Sequence, residues 1–330
     1  MDTTIHLKNL LLDSPVVYAP LAGFSDYPYR RMGVPYGPAL MFCEMTKVEG
    51  ILWSPNRSLK LLEFSEDMRP IGGQICGSNP LFAAEAARVV EGLGFDLIDL
   101  NCGCPTDKIT KDGSGSGMLK DPIGLGKVVE AIVYSTSLPV TVKIRSGWDY
   151  ENINVEEVVR IIRESGADAV FVHGRTRSQG YVGPANRDFI KRAKAVAGSM
   201  KVFGNGDIFS PESAKDMLET TGCDGVLVAR GTMGAPWIAQ QIKEYLATGS
   251  YHTPTFAERK EAFLLHLQYV EEYYSSEAKL LTETRKLCGH YLVSSANVRF
   301  LRSALGKAKT REEIYSAVER YCEEHCKDER

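Results

Sequence analysis

No apolar run in these 330 residues approaches the roughly 18 that a membrane-crossing helix needs, so no membrane partner is expected. The start, Met1 to Lys8, has no basic segment leading into an apolar one, so no secretory signal is expected and the cytoplasm is the expected location. A disulfide framework is also lacking. The eight cysteines (43, 76, 102, 104, 223, 288, 322 and 326) are scattered, several of them inside apolar strand-like runs, which suits free thiols in a reducing compartment. Charge of either sign is not in excess: 39 Lys and Arg against 42 Asp and Glu leave a net charge of −3, which by itself gives no argument for nucleic-acid binding by the chain as a whole. A second metal-ligand cluster is missing. Cys102 and Cys104 could form half a zinc site, but the only other close pair, Cys322 and Cys326 beside His325, lies in the terminal tail, so no metal is expected. Finally, no Gly-x-Gly-x-x-Gly follows the first strand-like run, which weighs against a doubly wound dinucleotide fold.

What is present is a repeated alternation. Eight short apolar runs, at 16–20, 40–44, 71–76, 95–101, 139–144, 169–173, 201–205 and 225–229, alternate with helical patterns such as 80–91, 124–135, 155–164, 186–197 and 211–220. Ser210-Pro211-Glu212 starts a helix with an N-cap and a proline in the first turn, and Gly92, Gly94, Gly166 and Gly222 mark helix ends. The runs are continuously apolar rather than alternating, the mark of a parallel sheet covered by helices. Eight such units predict an α/β fold, a (β/α)8 TIM barrel, over residues 1–246. After the linker-like Ala247 to Pro254 the pattern is wholly helical (256–274, 278–293, 298–305 and 311–324), predicting a C-terminal all-helical domain over 247–330.

In such a barrel the chemistry collects where strands end. Those ends are polar here: Pro20 to Ala22, Glu44, Gln74, Asn101 to Cys104, Lys143 with Arg145, His173 with Arg175, Asn205 to Asp207, and Arg230. Cys104 could be a metal ligand, a nucleophile partnered by His173, or, as a thiol mostly protonated at neutral pH, a proton donor. Lys143 could form a Schiff base, face an anion, or be surface charge. Gly204, Gly206 and Gly231 in the seventh and eighth loops, with Arg230, fit a phosphate site. A phosphate site, a lysine, a glutamine and an acidic thiol on one rim suggest a flavin barrel. FMN phosphate would lie by strands seven and eight, with Lys143 at the flavin pyrimidine edge. The glycine-rich Gly113-Ser-Gly-Ser-Gly117 just beyond predicts a mobile loop.

The helical tail is charged unevenly. From Lys279 to Arg311 stand eight bases (Lys279, Arg285, Lys286, Arg299, Arg302, Lys307, Lys309, Arg311) and one acid, Glu283, with acidic segments on both sides. This local excess of seven positive charges predicts contact with a phosphate backbone, against the plainer reading of a solvated helix face.

The motifs Tyr18-Ala-Pro-Leu-Ala-Gly-Phe-Ser-Asp26, Gln74-Ile-Cys-Gly77, Asp99-Leu-Asn-Cys-Gly-Cys-Pro105, Val142-Lys-Ile-Arg145, Val172-His-Gly-Arg-Thr-Arg177, Gly204-Asn-Gly-Asp-Ile208 and Ala229-Arg230 with Gly234-Ala-Pro-Trp237 resemble, in order, those of the tRNA-dihydrouridine synthases, particularly the bacterial-type branch. The resemblance implies FMN-dependent reduction of uridine in tRNA to 5,6-dihydrouridine, with NADPH as reductant and tRNA as partner; a monomer is the expected state. It implies Cys104 as the acid, and FMN contacts from Pro20, Leu21, Ala22, Gln74, Lys143, His173, Asn205, Gly206, Asp207, Ala229 and Arg230. Asn101, Arg145 and Arg175, with Arg285, Lys286, Arg299 and Arg302 of the tail, are implied on the substrate side. A reductase of a free pyrimidine or enone, or a synthase acting on another RNA such as rRNA, are the alternatives. Two positions depart from the family pattern. Cys102 stands where the family commonly has methionine, and Arg285-Lys-Leu-Cys-Gly-His-Tyr291 replaces Arg-Lys-His-x-x-Trp-Tyr.

Overall fold

The computed structural model describes residues 4–292 and 298–325; residue 293, the predicted end of a tail helix, and Cys326 lie outside the described residues. Eight parallel strands form the barrel: β1 (Val16–Tyr18), β2 (Met41–Phe42), β3 (Ile71–Cys76), β4 (Leu97–Cys102), β5 (Val140–Arg145), β6 (Ala169–His173), β7 (Lys201–Asn205) and β8 (Gly225–Val228). From β2 onward each pairs with its neighbour in sequence, and β8 pairs with β1. The ring closes between β1 and β2 through a parallel bridge, Val17 to Leu40, in which the Tyr18 amide donates to the Leu40 carbonyl at 3.0 Å. The second predicted run is shortened, since the chain leaves β2 after Phe42 and pairs with β3 again only at Thr46–Lys47.

Alternation along the strands sorts their side chains. Outward residues such as Ile98, Leu100, Cys102, Val142, Ile144, Val170 and Val172 pack beneath the surrounding helices. Inward residues Val17, Leu40, Phe42, Leu97, Phe171, Phe203 and Leu227 fill the barrel floor, sealed by Ile5, Leu7 and Leu12 from an antiparallel N-terminal hairpin (Ile5–Leu7 and Leu10–Leu12). This hairpin is absent from the sequence reading: its strands are three residues each, and its turn at Lys8, with φ +52°, carries no glycine. Above the apolar floor the inward positions become polar, and the site begins there.

Among the described residues, the chain beyond the last barrel helix, Ile238–Thr248, forms four helices: Phe256–Tyr273, Glu277–Tyr291, Val298–Lys307 and Arg311–His325. A Thr255–Glu258 capping box starts the first and Ser276 caps the second. Their apolar faces share one cluster with Phe24, Tyr29, Met32 and Trp237 of the barrel. Tyr273 stacks on Tyr27 at 5.2 Å, and the Tyr274 hydroxyl donates to Asp26 at 2.8 Å. Gly234, at φ +69°, lies so close to the backbone of His290 and Tyr291 that no side chain fits there, which explains the glycine of the Gly234-Ala-Pro-Trp237 motif. Among the described residues no helix is long and apolar enough to cross a membrane.

Candidate active site

A cavity of about 400 Å³ opens at the carboxyl ends of the barrel strands. It collects Pro20, Leu21 and Ala22 after β1, Gln74 of β3, Asn101 and Cys104 at the end of β4, Lys143 and Arg145 of β5, and His173 of β6. Asn205, Gly206 and Asp207 at and after the end of β7 and Ala229 and Arg230 after β8 complete it. Of the residues expected at the rim, Arg175 stands behind this lining. Arg285, Lys286, Arg299 and Arg302 lie in the tail, outside the cavity lining.

The cysteine turn is held from three directions. The Asn101 Oδ1 accepts from the amides of Gly103 at 3.1 Å and Cys104 at 2.8 Å. Arg145 Nε donates to the Gly103 carbonyl at 3.0 Å. Both the amide and the hydroxyl of Ser116 donate to the Cys104 carbonyl, at 3.0 and 2.9 Å. Those bonds occupy the backbone and leave the sulfur on the cavity wall, 3.5 Å from the Thr106 hydroxyl. Ser114, Gly115 and Ser116 are buried, and a Cβ on Gly115 (φ +57°) would meet the Cys104 carbonyl oxygen at 2.9 Å. The expectation of a mobile glycine loop is therefore corrected: the glycine permits close packing against the cysteine turn. Cys102 points the opposite way. It is fully buried in the helix layer with its sulfur 3.5 Å from that of Met118, and burial pushes its thiol well above the ordinary range. Cys102 ends the outward row of Ile98 and Leu100 at the last position of β4, and the turn beyond the strand, tied to Asn101 and Arg145, brings Cys104 to the cavity instead.

The far wall is cationic. Arg175, buried, donates to both carboxylate oxygens of Asp207, at 2.9 and 2.7 Å, and to the Gly183 carbonyl at 2.6 Å. Arg230 reaches the same carboxylate at 2.9 Å. Burial alone would raise the Asp207 pKa, but the Ala185 amide and the two guanidinium groups outweigh it and hold the acid below its usual range. Asp207 itself sits in left-handed backbone, φ +51°. Lys143 Nζ lies 3.4 Å from Asn205 Oδ1, and burial, reinforced by Arg145, lowers its pKa to about 8. Burial and the charges of Lys143, Arg145, Arg175 and Arg230 keep His173 neutral, well below its ordinary value. Several cations against the single carboxylate of Asp207 make this wall attractive to an anion. Gly206, at φ +131°, lines it, and a Cβ there would strike Ala185 at 2.5 Å. Gly204 does not share this role: a Cβ on it would meet Met217 at 2.8 Å, so it serves helix packing.

The mouth holds residues the sequence reading missed. Tyr181 and Phe209 are 58% and 55% exposed, and the Arg230 guanidinium lies 4.5 Å from the Tyr181 ring centre and 5.3 Å from that of Phe209. Met45 and Met233 add apolar surface. The signal for Tyr181 was its loop, Gly180-Tyr-Val-Gly183, an aromatic flanked by glycines just past a strand end. Asp99 was also missed as a site residue, although it lies inside the cysteine motif.

In the tail, Lys279 and Lys286 both pair with the buried Glu283, and Lys286 Nζ also donates to the Gly23 carbonyl at 2.9 Å, just past the Pro20–Ala22 segment. Arg285 binds the carbonyls of Leu305 and Ala308 at 2.9 and 2.8 Å. Arg302 approaches the Gly289 carbonyl at 3.4 Å, and Arg311 pairs with Glu271 at 2.7 Å. Arg299, Lys307 and Lys309 are exposed and make no ion pair among the described residues.

Comparison with known proteins places this geometry. The dihydrouridine synthase family model matches residues 17–329. The chain is 36% identical over 326 residues to the tRNA-dihydrouridine synthase B of Pseudomonas syringae pv. tomato, covering 98% of this chain and 96% of that protein. It is 35% identical over 322 residues to the tRNA-dihydrouridine synthase B of Pseudomonas aeruginosa, covering 97% and 96%. A probable tRNA-dihydrouridine synthase of Rickettsia conorii is 36% identical over 303 residues, 91% of each chain. Among solved structures, histamine dehydrogenase from Rhizobium sp. 4-9 superposes with a TM-score of 0.59 at 16% identity, over 81% of this chain and 50% of that one, a likeness of barrel fold. With the family model running through barrel and tail alike, and relatives more than a third identical along nearly their whole length, this chain is an enzyme of the dihydrouridine synthase family.

Proposed function

We propose that the protein reduces the C5=C6 bond of uridine in tRNA to 5,6-dihydrouridine, using FMN and NADPH in the cytoplasm. The observation that carries the reading is the composition of one cavity: a thiol at one side, a buried cationic wall at the other, and amides between. That donor set fits FMN. Arg230 and the Gly206 turn suit its phosphate, Lys143 and Gln74 the polar edge of its ring, and Pro20, Leu21, Ala22 and Ala229 its apolar face, with His173, Asn205 and Asp207 completing the wall. When bound, FMN supplies the hydride taken up at uracil C6, replenished by NADPH.

The chain's own residues do the rest. Conjugation of C5=C6 with the C4 carbonyl lets C5 carry the electron pair, and Cys104 gives C5 its proton. The turn bonds to Asn101, Arg145 and Ser116 keep that sulfur on the cavity wall. Asn101 and Arg145 stand at the same wall for the uracil edge, and Arg175 holds Asp207 behind it. The base must leave the folded RNA to reach this depth. We assign the barrel, residues 1–246, to catalysis and residues 247–330 to holding the RNA backbone, through Arg299 and Arg302 with Arg285 and Lys286 shaping that surface. The test is position-resolved mapping of dihydrouridine in total RNA from cells with and without this gene. Loss at one or more tRNA positions is expected. Unchanged tRNA would refute the reading, and loss confined to rRNA would reassign the substrate.

A further inference from the structure

Asp99 is the most buried acid of the site, 1% exposed, and it makes no ion pair among the described residues. Lys143 is near enough to attract it without contact, and a carboxyl this buried is costly and calls for a role. Its neighbours in register are Gln74 on β3 and Thr141 on β5, so the three side chains form one row across the inner barrel wall. Thr141 donates to Asp99 Oδ1 at 2.6 Å and Gln74 Nε2 donates to Oδ2 at 2.7 Å. Gln74 Oε1 then accepts from Asn101 Nδ2 at 2.9 Å, and Asn101 Oδ1 accepts the amides of Gly103 and Cys104.

This chain has a direction. In its ionised form Asp99 only accepts, so it turns the nitrogen of Gln74 toward itself and the oxygen of Gln74 toward Asn101; burial raises its pKa to about 7, against the bonds from Thr141 and Gln74 and the nearby charge of Lys143. Two backbone N–H groups at the other end require the oxygen of Asn101 to face them. Both ends agree on one amide orientation throughout. Packing alone would not select it, because the two faces of an amide are nearly equal in size.

We propose that Asp99 is a positioning residue which, through Gln74 and Asn101, fixes the orientation of the Cys104 turn. The inference rests on the reading of Cys104 as the proton donor. It predicts a specific failure of additivity. In Asp99→Asn the new amide keeps its oxygen toward Gln74 if its nitrogen faces Thr141, whose hydroxyl can turn to accept. In Thr141→Val the carboxylate still receives Gln74. In the double variant the amide nitrogen introduced by Asp99→Asn loses its acceptor, and the chain carries one donor too many wherever the amides settle.

The measurement is the single-turnover rate at which tRNA reoxidises the NADPH-reduced holoenzyme, for wild type, both single variants and the double. Beside it, the rate of Cys104 alkylation by iodoacetamide is followed by peptide mass spectrometry. Each single variant should slow reoxidation by no more than about fivefold, and the double by more than about a hundredfold, well beyond the product of the singles. Alkylation of Cys104 should accelerate in the double variant beyond that product too. A double variant equal to the product of the singles, in both readouts, overturns the relay. So does an Asp99→Asn single as impaired as the double, which would assign the effect to charge on Lys143. Cys104→Ala is run alongside: wild-type reoxidation in that variant would refute the reading of the acid, while alkylation in the Asp99 and Thr141 variants would still report on the relay.

Discussion

Two thiols two residues apart have different fates because β4 ends between them, with Cys102 its last residue and Cys104 in the turn. Cys104 has its backbone tied and its sulfur on the cavity; Cys102 is sealed against Met118 with its ionisation suppressed. Cys102→Ala should therefore retain flavin content and turnover, and lower unfolding stability by about 1–2 kcal/mol for the small void beneath helix and strand. Chemical denaturation beside steady-state assay checks this, and a Cys102→Ala enzyme without activity would contradict the assignment. At this scale much of the site was legible. Polar residues interrupting apolar strand ends, and a thiol in a turn, are visible without coordinates. Asp99 was not, because an acid two positions before the turn reads as part of the strand, and only register shows that it faces Gln74 and Thr141. The glycine run was misread for a related reason: sequence shows conformational freedom at Gly115, while the structure shows that the freedom is spent on contact with the Cys104 carbonyl.

Whole elements were easiest to read where burial is two-sided. The eight barrel strands carry continuous apolar runs because helices cover one face and the barrel floor the other. The hairpin that closes the floor, and the helices Val48–Trp53 and Pro55–Leu61 between β2 and β3, are too short to build a period. In the tail, the first and second helices meet at His266 and Tyr291, whose Nδ1 and hydroxyl lie 3.0 Å apart in a buried setting. Burial, with Lys286 nearby, lowers the His266 pKa to about 3. The unfolded chain takes up a proton near the ordinary histidine pKa of about 6.5, whereas the folded one resists it. Stability from this group is therefore complete above that value and lost as pH falls toward 3. Between about pH 6 and 4 the wild type should lose stability faster than His266→Phe, by up to about 1.4 kcal/mol per pH unit. Parallel slopes in denaturant titrations would contradict the buried neutral histidine.

On the scale of the molecule, barrel and tail are one packed body as far as Phe24, Tyr29, Met32 and Trp237 are concerned. Deleting the tail would uncover that surface, so charge substitutions test its function more cleanly than truncation. The sequence showed eight bases in one stretch. The structure divides them: Lys279, Arg285, Lys286 and Arg311 are engaged in holding the tail together, Arg302 reaches the Gly289 carbonyl from an exposed position, and Arg299, Lys307 and Lys309 stand outward. Neutralising those three together should weaken tRNA binding and flatten its dependence of log affinity on log salt by about two, at about 0.7–0.9 per phosphate contact. NADPH oxidation in the absence of tRNA should not respond. An unchanged salt slope would move the RNA surface elsewhere.

In the proposed reaction Cys104 donates a proton to a uridine reduced inside this barrel. The most direct measurement is position-resolved dihydrouridine formation in unmodified tRNA supplied with NADPH and either the wild-type or the Cys104→Ala flavoprotein. Dihydrouridine is expected at defined positions with the wild type, whereas the Cys104→Ala protein should still bind FMN but form product at least about a hundredfold more slowly. Equal yields from the two proteins, or none from the wild type, would contradict it.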